Sequence, residues 1–237
     1  MKVLVIGASG NTGKLVVKQL LNNSIKTRVL IRKSAVLSKE ILDSPLIEVI
    51  RDSISEMNQD KIDNLIANCD VIISCLGHNM TFKGMFFKPR NLVVDAIKKI
   101  CVSAKRSNNK IKIILMSTTA YTNHSLGEKN SFGERIVLSI VKLLLPPHRD
   151  NIKVANYLVK DINTQDKTIK WIAIRPDTLV NNDIETPYVI EKSPIRSPIF
   201  NAGKTSRINV SHFITNLVID ENLWKEWEYK TPVIYNK

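Results

Sequence analysis

Short hydrophobic runs alternate with amphipathic stretches along the chain, and the alternation begins at the first residue. Continuous hydrophobic runs are typical of strands buried on both faces, and a hydrophobic side that recurs every three to four residues indicates a helix. The predicted strands are Lys2–Ile6, Thr27–Ile31, Leu46–Ile50, Asp70–Ser74, Ile111–Met116 and Ile169–Ile174. The predicted helices are Thr12–Asn22, Gln59–Ala67, Leu92–Val102 and a long helical stretch from Ser131 to Asp161. Buried strands separated by helices predict a doubly wound α/β domain with a parallel sheet covered on both sides.

The pattern changes after Arg175-Pro176. Prolines then separate short strand-like pieces at Tyr188–Ile190, Arg207–Val210 and Val233–Tyr235, with one helix at Ser211–Ile219. We predict a single domain over residues 1–237, in which residues 1–180 form the sheet core. Residues 181–237 are expected to form a small C-terminal lobe beside the carboxyl edge of the sheet, without a core of its own.

Composition limits the class of protein. The chain has 237 residues, of which 43% are hydrophobic and 24% charged, and this mixture excludes a disordered or low-complexity chain. Its three cysteines lack the spacing of a zinc site or of a disulfide framework, so we expect a reduced, cytoplasmic protein without a metal. We expect no targeting or membrane-spanning segment. The net charge of +13 comes from basic residues spread along the chain, which favours a solvated surface over a nucleic-acid site.

The strongest local signal is a glycine-rich turn between the first strand and the first helix. Glycines occupy positions 7, 10 and 13, in the spacing G-x-x-G-x-x-G. Such a turn brings backbone N–H groups and the positive end of a helix against the pyrophosphate of a dinucleotide. The residues predicted to bind a dinucleotide here are Gly7, Ser9, Gly10, Asn11, Thr12 and Gly13.

The residues after the second predicted strand indicate which dinucleotide binds. NAD sites place an acidic residue about 20 residues after the glycine turn, where it binds the ribose 2′-hydroxyl. This chain has Arg32 and Lys33 at that place, with no acid nearby. A guanidinium binds a 2′-phosphate that a carboxylate would repel. The pattern therefore predicts NADP(H).

Two further strand ends are predicted to lie at the same cleft. Asp52-Ser53 follows the third strand, where the carboxylate can reach the adenine amino group. Cys75-Leu76-Gly77 follows the fourth strand, and a glycine there lets the backbone pass close to the adenosine ribose. His78 comes next, either as a loop histidine or as a contact to phosphate or substrate.

Seven segments of the chain carry a resemblance to a known family. They are Gly7–Gly13, Val29–Ser34, Ile50–Ser53, Ile73–Gly77, Met116–Tyr121, Trp171–Thr178 and Arg207–Phe213. In this order they resemble the atypical short-chain dehydrogenases/reductases of the NmrA-like superfamily, and within them the flavin reductase/biliverdin-IXβ reductase branch. The resemblance implies a Rossmann-like core with NADP(H) lying across the strand ends. The residues it implies near the nicotinamide are Met116, Ser117, Thr118, Thr119, Pro176, Thr178 and Leu179.

The chain departs from typical short-chain dehydrogenases at the catalytic position. Those enzymes use a Tyr-x-x-x-Lys pair, in which the cation lowers the pKa of the tyrosine for proton exchange with a carbonyl or an alcohol. The only such spacing here, Tyr188 and Lys192, falls after the last core strand. On the expected helix Tyr157 is followed by Asp161, which cannot replace the lysine.

The flavin/biliverdin reductase branch also lacks that pair, and the resemblance implies direct hydride transfer to a conjugated ring. Thr119 matches the position of the branch's active-site serine, and Tyr121 stands where an aromatic residue is common. The resemblance thus implies Thr119 and Tyr121 as catalytic residues. A hydroxyl at a strand end also serves as a loop or helix cap, and this alternative stays open.

The insertion from Thr122 to Arg149 has three interpretations. Its amphipathic part, Ile136 to Leu145, packs over the substrate mouth, receives a partner helix, or packs into the core.

We expect an NADPH-dependent oxidoreductase that reduces a flavin, a quinone or another conjugated acceptor. The alternative is a redox sensor that binds NADP(H) without turnover, and the missing tyrosine–lysine pair argues against an epimerase-like enzyme. The expected partner is a small-molecule acceptor, with neither a membrane nor a nucleic acid involved. We expect a monomer or a homodimer.

Overall fold

The structure is a computed structural model that describes residues 1–77 and 90–237, so that His78 lies outside the described residues. The strands are β1 (Lys2–Ile6), β2 (Lys26–Ile31), β3 (Ile47–Arg51), β4 (Val71–Ser74), β5 (Ile111–Met116), β6 (Ile169–Pro176), β7 (Thr178–Val180), β8 (Tyr188–Glu191), β9 (Lys204–Ser206) and β10 (Val233–Asn236). The helices are α1 (Asn11–Asn22), α2 (Lys39–Leu42), α3 (Gln59–Ile66), α4 (Leu92–Arg106), α5 (Phe132–Leu144), α6 (Pro146–Asn156), α7 (Arg207–Ile219) and α8 (Glu221–Trp227). A 3₁₀ turn covers His124–Leu126, and a π-helical turn covers Tyr157–Ile162.

Eight strands of the described residues form one sheet, in the order β3-β2-β1-β4-β5-β6-β10-β8. Neighbouring strands from β3 to β10 are parallel, and β8 runs antiparallel to β10 at the edge. Strands β7 and β9 form a separate parallel pair. The strand order reverses between β1 and β4, which opens a crevice at their carboxyl ends. The predicted doubly wound parallel sheet is confirmed.

Hydrophobic clusters cover both faces of this sheet, as continuous hydrophobic strands require. In β1, Leu4 and Ile6 belong to the cluster that includes residues of α3 and α4. Val3 and Val5 alternate with them and belong to the cluster that includes residues of α1 and α7. All four side chains are fully buried. The two helical layers hold the carboxyl ends of the strands in a fixed arrangement at one edge.

The long predicted helical stretch is divided in the structure. Helix α5 ends at Leu144, and α6 begins at Pro146. Between them Leu145 is extended, with φ −119° and ψ 89°. Proline fits the first position of a helix but disfavours helical dihedrals in the residue before it, so Pro146 both ends α5 and begins α6.

The prediction of a strand-like piece at Arg207–Val210 is wrong, because these residues form the first turn of α7. The side chain of Ser206 accepts a hydrogen bond from the backbone N–H of Asn209 at 3.2 Å. This N-terminal cap satisfies a donor that the helix itself leaves unpaired, and it stabilises a start four residues before the predicted one at Ser211.

Residues after 180 add to the main sheet and to its helical layer. Strand β10 pairs with β6 through Val233 and Ile234. Helix α7 contributes Phe213, Ile214 and Leu217 to the cluster it shares with α1. The segment 181–237 therefore completes the central core, in addition to the region beside the carboxyl edge. A domain boundary at residue 180 stays a prediction.

Candidate functional site

The glycine-rich turn joins β1 to α1 and has almost no room for side chains. Gly7 has a φ of +78°, and a Cβ atom there would lie 2.6 Å from the carbonyl carbon of Cys75 in the neighbouring strand end. A Cβ atom on Gly13 would collide with the carbonyl oxygen of Gly7. Gly10 closes the turn, because its N–H donates to the Gly7 carbonyl at 3.0 Å. The backbone of this turn is therefore fixed by packing against itself and against the end of β4.

The N-terminus of α1 is open for an anion. Gly10 is the capping residue, no side chain among residues 1–77 and 90–237 caps the helix, and its first turn contains no acidic residue. Ser9 is half-buried, Asn11 is exposed and Thr12 is buried. Free N–H groups and the helix dipole at such an end favour a phosphate group. These features fit the predicted dinucleotide pyrophosphate.

Exposed cations lie at the ends of β2 and β3. Arg32 and Lys33 are exposed and form no ion pair with the residues that the structure describes. Arg51 was not predicted as a site residue, yet its guanidinium reaches back to the carbonyl of Ala35 at 2.9 Å and adds a third cation to this edge. A cation directly after a strand that ends at the crevice is the signal in the sequence that identifies it.

Asp52 is held within this cationic group. Its carboxylate pairs with Lys61 at 3.0 Å and accepts the N–H of Ser53 at 2.8 Å. The hydrogen bond from Lys61 is the main reason that the pKa of Asp52 is lowered, so the carboxylate is ionised at neutral pH. Contact of Asp52 and Ser53 with the adenine stays a prediction.

Cys75 and Leu76 follow β4 directly beside the glycine turn. The Cys75 thiol is buried, which raises its pKa to about 12 and keeps it protonated and unreactive. Its backbone is the surface against which Gly7 packs. A Cβ atom on Gly77 would meet nothing within 4 Å, so no packing within the described residues requires glycine there.

The end of β5 places hydroxyl groups in the centre of the sheet edge. The Ser117 hydroxyl is buried and has no hydrogen-bond partner in the described part of the chain, and the same holds for Ser74 at the end of the adjacent β4. Buried polar groups of proteins are nearly always paired, so these two hydroxyls fit a ligand that supplies the partner. Thr118 accepts the N–H of Ala120 at 3.2 Å and acts as a loop cap. Met116 is half-buried beside them.

Thr119 contacts a carboxylate that was not predicted as a site residue. Its hydroxyl donates to Asp177 at 3.4 Å, and both side chains are buried. Asp177 also accepts the N–H of Thr178 at 2.9 Å and the N–H of Gly203 at 2.8 Å. Burial raises the pKa of Asp177, while these hydrogen bonds act in the opposite direction. The signal available in the sequence was the position of Asp177, directly after Pro176 at the end of β6.

A buried ion pair supports this side of the site. Arg175 is fully buried and binds Glu128 through two nitrogens, at 2.7 and 2.8 Å. It also donates to the carbonyl of Tyr121 at 3.1 Å and of Thr231 at 2.7 Å. Burial alone would raise the pKa of Glu128, but the Arg175 hydrogen bonds and charge lower it overall. The pair thus joins β6, which carries Arg175, to the loop after β5 and to the start of the insertion.

Tyr121 is almost completely buried beside this pair. Burial raises the pKa of its hydroxyl to about 12, so it remains protonated at neutral pH. The ring centre lies 6.0 Å from the guanidinium carbon of Arg175. These contacts give Tyr121 a supporting position, and its catalytic role stays a prediction.

An open cavity of about 450 Å³ lies above Thr119 and Tyr121. Its remaining lining residues come from the insertion and from the loop after β8. They are Thr122, Leu126, Gly127, Glu128, Lys129, Asn130, Glu134, Ser193, Pro194, Ile195, Arg196, Ser197 and Pro198. Thr119 itself is one of the residues that line the cavity. Among the residues predicted to lie near the nicotinamide, Pro176 at the end of β6 is buried, Thr178 is exposed and Leu179 is half-buried.

The beginning of the insertion lines the cavity, whereas Ile136 and Ile140 in its amphipathic part do not. Ile136 and Ile140 on α5 are about half exposed, and neither lines the cavity. Ile136 and Ile140 themselves therefore do not pack into the core. The cavity wall comes instead from residues 122–130 and from Glu134, whose carboxylate forms a capping box with Ser131.

Tyr188 and Tyr157, the two tyrosines at which a tyrosine–lysine pair could be expected, have other surroundings. Tyr188 lies on strand β8 at the edge of the sheet, and its hydroxyl is 2.8 Å from Nδ1 of His212. Tyr157 lies in the π-helical turn, and burial raises its pKa. A catalytic tyrosine of this kind needs a lysine beside it; Tyr188 contacts His212 instead, and Tyr157 is followed four residues later by Asp161, so neither residue forms the pair of the alcohol dehydrogenases.

Comparisons with known proteins agree with this geometry. A family model described as NAD(P)H-binding matches residues 7–221. A comparison with curated protein sequences gave no match. No helix in residues 1–77 and 90–237 has the length and hydrophobicity needed to cross a membrane.

Three solved structures show the same fold at low sequence identity. A short-chain dehydrogenase/reductase from Veillonella parvula, solved with NADP, is 14% identical with a TM-score of 0.67, over 99% of this chain and 94% of that one. A protein described as an NADH-flavin reductase from Streptococcus pneumoniae is 14% identical with a TM-score of 0.69, over 100% of both chains. ChuY, described as an anaerobilin reductase from Escherichia coli O157:H7, is 13% identical with a TM-score of 0.69, over 100% of this chain and 97% of that one. The family match confirms an NAD(P)H-binding protein of the kind that the sequence predicted, and the solved structures confirm the fold.

Proposed function

The chain belongs to the NAD(P)H-binding family, and from this premise we propose that it is an NADPH-dependent oxidoreductase that transfers a hydride to a conjugated acceptor such as a flavin or a quinone. The observation that carries the proposal is the open cavity beside Thr119 at the carboxyl end of β5. Ligands of open parallel α/β sheets bind at this edge. A cavity of about 450 Å³ is within the usual size of a small-molecule site.

The glycine turn and the open N-terminus of α1 hold the pyrophosphate in this proposal. Arg32 and Lys33 would bind the 2′-phosphate, and the Ser117 hydroxyl, which has no partner among the described residues, would be available to the reacting end of the cofactor. When bound, NADPH supplies a hydride. The hydride and one proton together convert a quinone or flavin to its reduced form, and the proton comes from solvent or through the Thr119 hydroxyl.

Asp177 is a positioning residue for Thr119. Its carboxylate accepts a hydrogen bond from the Thr119 hydroxyl at 3.4 Å, and two backbone N–H groups hold the carboxylate in place. The threonine hydroxyl is thereby oriented before an acceptor binds, which lowers the ordering cost of the reaction.

Steady-state oxidation of NADPH with a panel of free flavins and quinones tests the proposal. We expect turnover that depends on both the acceptor and the enzyme concentration. The same assay with NADH gives the cofactor preference. Tight dinucleotide binding without turnover on any acceptor would contradict the oxidoreductase.

That contrary result would favour a second function, a redox sensor that binds NADP(H) without chemistry. The observation in its favour is the position of Tyr157, whose pKa is raised by burial and which has Asp161 in place of a lysine. A sensor needs the cofactor half of the site and does not need the Thr119–Asp177 contact. The presence or absence of turnover therefore separates the two functions, and a sensor must in addition bind NADPH and NADP⁺ with different affinities.

A further inference from the structure

The outer side of helix α5 carries hydrophobic side chains that nothing in the described part of the chain covers. Phe132 is 72% exposed, and Ile136 and Ile140 follow it at intervals of four residues, exposed by 47% and 50%. Residues four apart lie on the same side of a helix. The three side chains therefore form a hydrophobic stripe along the outside of α5.

Phe200 extends this stripe from a second segment of the chain. Its ring is 65% exposed and lies 3.3 Å from the place that a Cβ atom on Gly133 would take. The loop that carries the ring is fixed to the start of α5, because Ser197 donates its hydroxyl to Glu134 and accepts the N–H of Phe200 at 3.0 Å. Exposed hydrophobic patches of this kind indicate a binding surface. We call it the apolar face, and its members are Phe132, Ile136, Ile140 and Phe200.

The exposed charges beside the apolar face are cations. Lys129, Arg135 and Arg196 are exposed, and none of them forms an ion pair within residues 1–77 and 90–237. The guanidinium carbon of Arg135 lies 5.9 Å from the centre of the Phe132 ring. Lys129 and Arg196 line the same cavity as Glu134, which lies in the first turn of α5. The three cations thus surround the beginning of the helix.

The acids of the same segments are buried. Residues 122–145 and 193–200 contain the acids Glu128 and Glu134. Glu128 binds Arg175, and its side chain is 8% exposed. Glu134 is also 8% exposed, and it accepts the backbone N–H of Ser131 at 2.7 Å as well as the Ser197 hydroxyl. The surface around the apolar face is therefore positively charged, in agreement with the net charge of +13.

A serine on the outer side of α5 has its partner within the helix. Ser139 follows Ile136 by three residues and is exposed, and its hydroxyl donates to the carbonyl of Arg135 at 2.6 Å. Because its proton already has an acceptor, this hydroxyl can enter a medium that contains no water. The outer side of α5 thus combines hydrocarbon and cations with a hydroxyl that is already bonded.

We propose that the apolar face docks on the surface of a membrane that contains anionic lipids. Its hydrophobic side chains enter the boundary between head groups and acyl chains, and Lys129, Arg135 and Arg196 face the lipid phosphates. Amphipathic helices with aromatic residues on one side and basic residues beside them bind membranes in this way. The proposal goes beyond the proposed function and does not depend on it. The sequence predicted no membrane partner because it has no segment that could cross a bilayer, but docking on the surface needs no such segment.

A second copy of the chain is a less suitable occupant of this face. In a symmetric dimer built on it, the cations around α5 of one copy would meet the same cations of the other. Like charges brought together at an interface weaken association, whereas anionic lipids supply the opposite charge.

Co-sedimentation with vesicles tests the proposal without cofactor or turnover, so its result is independent of the proposed function. Vesicles of phosphatidylcholine are compared with vesicles in which about a third of the lipid is phosphatidylglycerol. We expect partitioning to be at least about tenfold stronger on the anionic vesicles and to weaken as salt is added, because salt screens the charges. Equal partitioning on both kinds of vesicle, or binding to neither, would overturn the proposal.

A variant without the two exposed rings tests the apolar face itself. Phe132→Ser Phe200→Ser should weaken partitioning on anionic vesicles about tenfold or more, and circular dichroism checks that the fold is kept. Ile184→Ser is the matched control, because Ile184 is 71% exposed and its neighbour Glu185 accepts a hydrogen bond from Gln19 on α1. An equal loss in the control, or no loss in the double variant, would show that another surface binds the lipid.

Charge reversal tests the cations in the same assay. Lys129→Glu Arg135→Glu should reduce the preference for anionic vesicles about tenfold or more. Lys26→Glu Lys110→Glu changes the net charge by the same amount at exposed positions at the start of β2 and before β5, and should keep the preference within about threefold. A preference that falls equally in both variants would assign it to the overall charge and overturn the docking face.

The oligomeric state distinguishes a membrane from a second copy. Light scattering in solution should show the same mass for the wild type and for Phe132→Ser Phe200→Ser. A dimer that this variant converts into a monomer, together with no binding to vesicles, would make the apolar face an interface between copies and overturn the membrane proposal.

Discussion

The proposed cofactor side and the proposed acceptor side of the crevice are built in different ways. The cofactor side uses residues directly after β1, β2 and β4, and its central turn is a single run from Gly7 to Gly13. The acceptor side combines the loop after β5, the insertion, the end of β6 and the loop after β8. The first is recognisable from a short motif, whereas the second exists only after the chain has folded.

The difference follows from the ligands on each side. A pyrophosphate is bound by backbone N–H groups and a helix end. The sequence must therefore mainly provide glycines, which have no side chain that would block the backbone. An acceptor is bound by particular side chains, and these need a support. Arg175 provides it, because one buried guanidinium holds the Tyr121 carbonyl, the Thr231 carbonyl and the Glu128 carboxylate.

The largest expected effect comes from breaking that support. Glu128→Gln leaves the Arg175 charge buried without its partner, and loss of one member of a buried pair costs about 3–5 kcal/mol of unfolding free energy. Urea unfolding measures the change. Glu40→Gln is the control, because Glu40 pairs with Lys18 on the exposed surface, where the expected cost is below about 1 kcal/mol.

The same pair predicts a pH dependence. The folded-state pKa of Glu128 is lowered, so its stabilisation is present above its unfolded-state pKa and is lost as the pH falls through the folded-state value. The unfolding free energy of the wild type should therefore fall more steeply in acid than that of Glu128→Gln. Parallel curves for the two proteins would show that the pair contributes no net stability.

On the cofactor side, Gly13→Ala should weaken NADPH binding by about a hundredfold or more, since the new Cβ collides with backbone and moves the N–H groups that face the phosphates. Calorimetric titration measures the affinity. Gly133→Ala is the matched control, because its Cβ would meet only the exposed Phe200 ring, at 3.3 Å. Comparable losses in both variants would mean that general destabilisation, and not the turn, accounts for the effect.

Arg32→Ala should weaken NADP(H) binding about thirtyfold and leave NAD(H) binding unchanged, because only the former carries a 2′-phosphate. Titration of both dinucleotides against both proteins gives the ratio. An unchanged NADP(H) affinity in the variant, or equal affinities of the wild type for the two dinucleotides, would contradict NADP(H) preference.

Thr119→Val has the smallest expected effect and is confined to the acceptor side. It removes the hydroxyl but keeps the volume, and we expect kcat on any working acceptor to fall at least tenfold, about 1.4 kcal/mol, with NADPH affinity within about threefold. An unchanged kcat would assign Thr119 to loop capping. Catalysis would then depend on the position of the cofactor alone.

The sequence by itself determined the alternating strands and helices, the glycine turn and the cations after β2. These features depend on residues close together in the chain, so periodicity and spacing identify them. The predicted boundaries of helices and strands were wrong where a single side chain determines them. At Arg207–Val210, for example, the Ser206 cap begins a helix.

Only the tertiary structure determined which residues come together on the proposed acceptor side. Asp177 meets Thr119 across 58 positions of sequence, and Arg175 meets Glu128 across 47. Nothing local distinguishes these acids and cations from solvated ones on the surface. Their roles come from burial and from partners that the parallel strands of the sheet bring to one edge, which is a property of the whole fold.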